Sequence, residues 1–355
     1  MALEIQNKRI VGTIDNLQEK LNGKLPVDRV ELLYLINSWG RSQDFSTSEN
    51  ILIPECGATQ CYDLSKLDTS EITDMNGLFK YSMFNNIHST NGIGLHNGDI
   101  SNWDVSKVTD MSQMFYAARN FNQALNNWDV SSVKDMSRMF FDAKKFNQAL
   151  NNWDVSNATD MKSMFAYARN FNQALNNWDV SNVTDMSFMF FNVNNNFNQD
   201  INNWNVSSVT NMSWMFAGAI NFNQHILWDL SNVEISGMFR NAWAFEKKFN
   251  NKNPLPNDTN ELKVWFNNNR DKMLAIDIKE REKDNLDSFY NNLESLYNNL
   301  DNLNNFKKRL SQITNYYDFA IINSLTTNNY NFYETSHYRE LVGDIILDTI
   351  YNNST

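Results

Sequence analysis

Residues 121–140 read FNQALNNWDVSSVKDMSRMF, and close copies of this unit recur along the chain. The most regular position is a Trp that is followed by Asp or Asn, then Val or Leu, then Ser. Steps of 25, 25, 25, 26 and 24 residues separate the members of this core ladder, which are Trp103, Trp128, Trp153, Trp178, Trp204 and Trp228. Self-similarity at such a period is typical of a repeat architecture. A divergent copy begins at Leu67, so we expect about seven units.

Two kinds of apolar spacing occur within one unit. Apolar residues after Asp110 fall at i, i+3, i+4 and i+7, which predicts a short helix. They are Met111, Met114, Phe115 and Ala118. The alternation of Trp128 and Val130 predicts a short strand. One such unit cannot bury its apolar side alone, so we expect the units to stack along a parallel sheet into an α/β repeat solenoid with these side chains in its core.

A second set of residues recurs once per unit, always between a Phe and a Gln. In a stack of units, the side-chain amides of these residues would satisfy backbone groups of the turns that would otherwise be buried without partners. This polar ladder comprises Asn122, Asn147, Asn172, Asn198 and Asn223.

The Trp-Asp-Val-Ser, Val-Thr-Asp-Met, Met-Phe and Phe-Asn-Gln motifs together resemble those of the BspA-like leucine-rich-repeat family, which includes mycoplasma surface lipoproteins with 25-residue repeats. The resemblance covers about residues 62–245 and implies a leucine-rich-repeat-like solenoid. It also implies adhesion or host contact, because most members are bacterial surface lipoproteins. Related arrays occur in giant DNA viruses and in protists. The sequence shows no lipoprotein signal, so we expect a giant-virus or other intracellular member.

The segments that flank the repeats have a different spacing. We expect residues 1–61 to form an N-terminal helical cap, with the helix in 13–39, and a turn-rich segment, because the ends of a solenoid need a cover. The repeats occupy 62–248. A linker follows over 249–260, where two prolines disfavour regular structure. Residues 261–355 are expected to form an all-α C-terminal domain.

Within that C-terminal domain, apolar residues at heptad spacing run from Leu286 to Leu310 and predict a helical or coiled-coil segment. Asn at outer positions and Lys307 on the seam favour a helical hairpin within one chain over a free coiled coil. Homo-oligomerisation through the Leu286–Leu310 helix is the alternative. A last helix, Tyr338–Tyr351, could pair with the seam.

Composition and charge argue against several classes of protein. The net charge is −11, which argues against a nucleic-acid partner because phosphates must be neutralised by an excess of Lys and Arg. No apolar run is long enough to span a membrane and no secretory signal is visible, so we expect no membrane insertion and an intracellular or virion location. Cys56 and Cys61 are the two cysteines, too few for a disulfide framework.

Two columns of acidic positions repeat with the units. One contains Asp104, Asp129, Asp154, Asp179 and Asp229, with Asn205 interrupting it, and the other contains Asp110, Asp135, Asp160 and Asp185, with Asn211 in the next unit. We interpret them as turn carboxylates that accept bonds from backbone amides. Calcium between adjacent units is an alternative, because a divalent ion would relieve the repulsion. With no catalytic motif or zinc-binding cluster in the sequence, we expect no catalytic, cofactor-binding or metal-binding residue.

Positions that vary while the rest of the unit repeats are the candidates for a partner surface. One such column contains Gln113, Arg138, Ser163, Phe188 and Trp214, and it becomes aromatic toward the C-terminal units. Solvated positions rarely need Phe and Trp in succession. This predicts either a contact with the C-terminal helices or a patch that binds a partner through Arg138, Phe188 and Trp214.

Taken together, these features predict a non-catalytic protein that acts in protein–protein interaction or structural assembly, with a giant-virus component as one such role. A surface adhesin of the BspA-like type and a calcium-binding repeat protein are the alternatives. The expected partner is a protein, and its identity does not follow from the sequence.

Overall fold

The structure is a computed structural model of the 355-residue chain. It describes residues 4–6, 9–11, 15–16, 19–20, 22–41, 64–81, 99–193 and 197–298. Two compact units divide the chain, Met1–Ile278 and Lys279–Thr355. In the described residues the helices and strands are β1 (Glu4–Gln6), β2 (Arg9–Val11), α1 (Arg29–Arg41), α2 (Trp243–Phe249) and α3 (Thr259–Asn298), with a 3-10 turn at Leu64–Lys66. β1 and β2 pair antiparallel.

Several predictions concern residues outside these ranges. Cys56 and Cys61 lie outside the described residues, and so does the predicted Tyr338–Tyr351 helix. The predicted Leu286–Leu310 helix is described as far as Asn298, as part of α3. The helical hairpin and the homo-oligomer therefore stay predictions.

Consecutive repeats lie side by side and are joined by parallel bridges at one residue per repeat. The residues of this bridge column are Asp74, Asp110, Asp135, Asp160, Asp185, Asn211 and Glu234. A further parallel bridge joins Pro26 to Asp68, so the chain that precedes α1 lies alongside the first repeat. Each bridge connects a repeat to the next one along the chain, which places the repeats in one continuous stack.

Backbone amides near each bridge alternate between two kinds of partner. The N–H groups of Met111, Gln113 and Phe115 donate to carbonyls of the next repeat at 2.8–2.9 Å. The residues between them donate within the repeat, as Met114 does to the Met111 carbonyl at 3.2 Å. Every second amide therefore ties one repeat to its neighbour, and the backbone polar groups are satisfied without a continuous strand.

The short helix and the short strand predicted for each unit are corrected by the structure, which has turns instead. Residues 112–117 form consecutive turns in which Gln113 and Ala117 have positive φ values of 57° and 55°, a region that a right-handed helix never visits. The backbone around Trp128 is also irregular, and its amide closes a turn onto the Leu125 carbonyl at 3.0 Å. Because each turn advances the chain by four residues, buried positions recur at steps of three and four, which imitates helical spacing.

Columns of aromatic rings fill the core of the stack. Phe115, Phe140 and Phe165 are parallel, with centroids 5.5 and 5.6 Å apart, and all three are fully buried. A second column runs beside them and includes Phe121 and Phe146, whose centroids are 5.8 Å apart. Within one repeat the two columns touch, at 4.0 Å between Phe140 and Phe146. Since aromatic rings pack well in such offset arrangements, the columns fix the spacing of the repeats.

The helix predicted over 13–39 is interrupted: residues 19–20 are helical, 22–28 are not, and α1 covers Arg29–Arg41. α1 begins at Arg29 because Asp28 and Glu31 cap each other: the Glu31 amide donates to Asp28 Oδ1 at 2.8 Å, and the Asp28 amide donates to Glu31 Oε2 at 2.9 Å. Residues 22–28 before it form turns and the bridge to the first repeat. Its buried side chains, which join the core of the repeats, are Leu32, Leu35 and Ile36.

At the other end of the repeats, α2 and the first half of α3 belong to the same compact unit as the stack. The side chains of Leu262, Phe266 and Met273 are buried in the core that the repeats share. The boundary between the units follows Ile278, further along the chain than the expected linker over 249–260, because α3 first covers the last repeat with its apolar face.

Candidate functional site

Half-buried aromatic side chains form a continuous row along the stack. Tyr116 lies parallel to Phe141, with centroids 4.6 Å apart. Tyr167 makes edge contacts with Phe141 and with Phe191, each at 5.3 Å. The row begins at Tyr81, which is 66% exposed and lies 5.5 Å from Tyr116. We call this row the aromatic ribbon; it comprises Tyr81, Tyr116, Phe141, Tyr167, Phe188, Phe191 and Trp214.

Two of the predicted partner-surface residues lie in the ribbon. The rings of Phe188 and Trp214 are parallel within 3° and have centroids 6.1 Å apart. Phe191 makes edge contacts with both of them. Both side chains are half-buried, and their rings therefore cover part of the stack while leaving an exposed margin.

The column of Arg138, Phe188 and Trp214 does not lie on a helix, although a short helix was predicted for this part of each unit. These residues are the left-handed members of successive turns, with φ values of 56°, 59° and 61°. A left-handed conformation costs a residue with a Cβ about 1 to 2 kcal/mol. Bonds between the repeats offset this cost, as where the Phe188 amide donates to the Ser213 carbonyl at 2.9 Å. The position tolerates varied side chains because its requirement is on the backbone.

A cation lies over the ring face at each end of the ribbon. Lys80 Nζ is 4.8 Å from the ring centroid of Tyr116 and 5.5 Å from that of Tyr81. At the other end, Arg240 Cζ is 5.3 Å from the centroid of the Trp214 ring. Both contacts place positive charge over the electron-rich face of an aromatic ring, which is attractive. Gly237 has a φ of 61° and no side chain, and a Cβ there would lie 3.0 Å from the Trp214 ring.

Next to the ribbon, basic residues occupy equivalent positions of three consecutive repeats. This cation column comprises Arg119, Lys144 and Arg169. Asp142 contacts two of its members: Asp142 Oδ2 is 2.7 Å from Arg119 Nε, and its Oδ1 is 3.8 Å from Lys144 Nζ. Lys145 is exposed beside the column. Positive charge therefore exceeds negative charge along this edge of the ribbon.

Charge is segregated within the repeats. Within residues 99–243, the ribbon and the cation column lie in six segments that we call the ribbon segments: 111–121, 136–146, 161–171, 186–197, 212–222 and 235–243. Between residues 99 and 243 they contain seven of the nine Lys and Arg residues, but Asp142 is their one acid out of thirteen. Of the remaining twelve acids, five lie in the bridge column, five directly follow a Trp, and Asp99 and Asp200 lie shortly before one.

The acidic columns are bonded to their own turns. In the bridge column, Asp110 Oδ1 accepts the Ser112 amide at 2.8 Å, and Asp160 Oδ1 accepts the Lys162 amide at 2.8 Å. In the other column, the amide and hydroxyl of Ser106 donate to Asp104 and hold the pKa of that carboxyl below its usual value. No group of three His, Cys, Asp or Glu side chains in the described ranges is arranged to hold a metal ion.

Burial raises the pKa of Asp160, and the neighbouring carboxylates of Asp135 and Asp185 raise it further. Asn211 occupies the same position two repeats later and accepts the equivalent amide at 3.0 Å. We therefore expect Asp160→Asn to be at least as stable as the wild type at pH 7, with a gain below about 1 kcal/mol, because the amide keeps the bond without the buried charge.

The measurement is thermal unfolding of the wild type and Asp160→Asn between pH 7 and pH 4. Because the folded-state pKa of Asp160 is raised, the penalty on the wild type is present above that pKa and disappears toward the ordinary value of 3.8. The difference between the two proteins should shrink as pH falls. As a control, Asp160→Ala loses the bond and should cost about 1 kcal/mol. A variant advantage that grows on acidification would contradict the assignment.

The core ladder is buried, whereas the polar ladder lies at half-buried or exposed positions, and both link consecutive repeats. All six Trp side chains are 3–7% exposed, and each indole N–H donates to a backbone carbonyl of the preceding repeat at 2.8–3.2 Å. In the polar ladder, the amides of Asn147 and Asn172 donate to the side-chain oxygen of the Asn one repeat earlier, at 2.9 and 3.0 Å. Asn198 and Asn223 continue the same pattern. These residues hold the repeats together, so we assign neither ladder to the partner surface.

Sequence reasoning missed most of the ribbon. Tyr116, Phe141 and Phe191 share one position of the repeat, but Ala166 interrupts that column. Tyr167, one residue later, closes the gap by contacting the ring on either side. The aromatic pattern is regular only when two neighbouring positions of the repeat are considered together, because neither position is aromatic in every repeat.

One buried pair outside the repeats' own columns was also missed. His225 Nε2 lies 3.1 Å from Asp277 Oδ1, and both side chains are more than nine-tenths buried. The geometry does not meet that of a hydrogen bond, and His225 Nε2 is a buried nitrogen without a hydrogen-bond partner among the described residues. It links the sixth tryptophan's repeat to α3 within the first compact unit.

A tandem-repeat protein is defined by these features: stacked units, buried columns of rings, and backbone hydrogen bonds that recur from repeat to repeat. The chain belongs to the family described as Mycoplasma protein of unknown function, DUF285, whose model matches residues 52–91, 81–195 and 174–278. This match supports the resemblance to mycoplasma-type repeat proteins at the level of the repeat family. A comparison with curated proteins gave no match, and a comparison with solved structures gave none. Among the described helices, none has the length and apolar character needed to cross a bilayer.

Proposed function

We propose that this chain is a non-catalytic repeat scaffold that binds a protein partner along the aromatic ribbon. The observation that carries the proposal is the row of half-exposed rings that crosses the repeats from Tyr81 to Trp214. Contiguous exposed apolar surface marks interaction sites, and aromatic side chains are enriched among the residues that dominate binding energy.

The repeats support this role because the residues that stabilise the stack are different from those whose side chains form its surface. The buried Trp, Met and Phe positions hold the stack, and the left-handed turn positions carry side chains that differ from one repeat to the next. A column of such positions presents side chains at a regular spacing without changing the core. Leucine-rich-repeat-like solenoids use this arrangement to build extended binding surfaces, and we include this chain's stack in that class as part of the proposal.

A photo-crosslinking experiment tests the proposal with the full-length chain. A benzoylphenylalanine placed at Tyr116, in the ribbon, should give an adduct with a protein that mass spectrometry identifies. The same group placed at Asn127, an exposed residue outside the ribbon segments, serves as the control and should not give that adduct. An adduct with the chain's own C-terminal residues, or equal adducts from both positions, would refute the proposal.

The identified protein should then bind the purified wild-type chain in a calorimeter. We expect Phe191→Ser to weaken this binding at least tenfold, since truncating an aromatic residue of a binding surface often costs more than about 1.4 kcal/mol. Asn127→Ser should leave the affinity within about twofold. Thermal unfolding of both variants separates lost binding from lost folding.

A further inference from the structure

We infer that the segment of the partner that docks on the ribbon is an extended, acidic peptide that crosses consecutive repeats beside the cation column. This inference rests on the proposed function and adds the chemistry of the partner. It depends on three observations: the local excess of positive charge, the covering of ring faces by other rings or by cations, and the spacing of the repeats.

The charge pattern is the first observation. The chain carries a net charge of −11, yet the ribbon segments are basic, with one acid that already contacts Arg119 and Lys144. Lys80 and Arg240 add cations at the two ends of the ribbon. Complementary charge across an interface steers encounter and selects the partner. The basic ribbon segments of this acidic protein therefore favour an acidic partner segment.

The covering of the ring faces is the second observation. The faces of Tyr116 and Phe141 are turned toward each other at 4.6 Å, and those of Phe188 and Trp214 are parallel at 6.1 Å. Lys80 and Arg240 lie over faces at the ends. Stacking of nucleobases needs open ring faces, and between Tyr116 and Phe141 there is no room for a base. The edges of aromatic rings carry partial positive charge, which suits carboxylates.

The spacing of the repeats is the third observation. Ring centroids of the core column lie 5.3–5.8 Å apart from repeat to repeat. Six such steps separate Lys80 from Arg240, about 33 Å, which is the length of roughly ten residues of an extended chain. Alternate side chains of an extended peptide point the same way, about 6.6 Å apart. One acidic side chain can therefore face almost every repeat.

A long polyanion fits the protein less well than a short acidic peptide. Twelve acids of residues 99–243 lie outside the ribbon segments: five in the bridge column, five that directly follow a Trp, and Asp99 and Asp200. Nucleic acid would extend past the ribbon and meet this negative charge, and its affinity depends on neutralising many phosphates. A peptide of about ten residues fits within the length of the ribbon and does not reach these acids.

The test is fluorescence anisotropy with the full-length protein and labelled 12-residue peptides. The sequence Glu-Glu-Phe repeated four times is the probe, and Lys-Lys-Phe repeated four times and a 12-nucleotide oligo-dT are the comparisons. We expect the acidic peptide to bind at least tenfold more tightly than the other two at about 50 mM salt. The affinity should fall at least fivefold at about 500 mM salt, because exposed charges are screened.

Charge reversal provides the matched variants. Lys144→Glu with Lys145→Glu changes the cation column, and Lys107→Glu with Lys134→Glu makes the same change in net charge at exposed residues outside the ribbon segments. The first pair of substitutions should lower the affinity for the acidic peptide at least tenfold, and the second pair should lower it less than twofold. Equal losses for both pairs, equal binding of both peptides, or tighter binding of oligo-dT would overturn the inference.

The outcome also separates the inference from the proposed function. If Tyr116 crosslinks to a protein while the acidic peptide does not bind, the ribbon is a partner surface of another chemistry and the inference is wrong. If the acidic peptide binds and the Phe191→Ser variant binds it equally well, the cations act without the ribbon, and the inference is wrong for that reason.

Discussion

We expect Trp153→Ala to lower the free energy of unfolding by about 3 to 5 kcal/mol, because the substitution removes a large buried side chain and leaves a cavity. The ring is 3% exposed and lies parallel to Trp178 at 6.4 Å. Its indole N–H donates to the Leu125 carbonyl at 2.8 Å, so the carbonyl of the preceding repeat also loses its indole donor. Chemical denaturation followed by circular dichroism measures the loss.

Arg138→Ala is the matched control for this prediction. Arg138 is half-buried in the same part of the stack, and its position requires a left-handed backbone rather than a particular side chain. Ala keeps the Cβ, so the backbone cost is unchanged, and the loss should stay below about 0.5 kcal/mol. Similar losses for Trp153→Ala and Arg138→Ala would show that the indole does not support the core.

Phe165→Ala is the second substitution with a large expected effect, a loss of about 3 to 5 kcal/mol. Phe165 is fully buried, contacts Phe171 at 4.0 Å, and lies between Phe140 and Phe190 at 5.6 and 5.8 Å. Removing the ring interrupts the column on both sides. Because each repeat contacts its neighbours only, the defect weakens the interfaces toward both ends of the stack. Urea denaturation gives the size of the loss and the cooperativity of unfolding.

Two controls define what Phe165→Ala measures. Phe165→Leu keeps most of the buried volume and should cost about 1 to 2 kcal/mol. Tyr167→Ala, in the same repeat but in the half-buried ribbon, should cost less than Phe165→Ala because part of its surface already faces solvent. A Tyr167→Ala loss as large as that of Phe165→Ala would mean that the ribbon belongs to the core, and would remove the basis for a partner surface.

The ribbon illustrates how a repeat protein gains a binding surface. Backbone hydrogen bonds between repeats hold the turn positions in place whatever side chain they carry. One column shows this, because its side chains differ as much as those of Gln113 and Trp214. Substitutions at these positions therefore change the surface without a large effect on the stack. A row of aromatic and basic residues at the spacing of the repeats is then suited to a partner that is itself extended.

The repeat boundaries, the buried Trp positions and the stacking Asn positions followed from periodicity, because residues with the same role must recur once per unit. The local backbone did not follow. The steps of three and four residues from Met111 to Met114 and to Phe115 fit both a helix and a series of four-residue turns. The two are distinguished by left-handed residues, which in this unit are Gln113 and Ala117. A partial sign was present in other repeats, where residue types that favour positive φ occupy the equivalent positions: Gly77 and Gly237 in one column, and Asn192, Gly218 and Asn241 in the other.

Periodicity in the chain determined that the units repeat and which side chains face inward, since burial imposes the same residue type at the same place in every unit. The folded chain alone decided which different positions become neighbours on the outside. Tyr167 completes a row with Phe141 and Phe191 although it occupies another position of its repeat. Such contacts depend on how far side chains reach across the gap between repeats, and that distance is set by the packing of the buried rings.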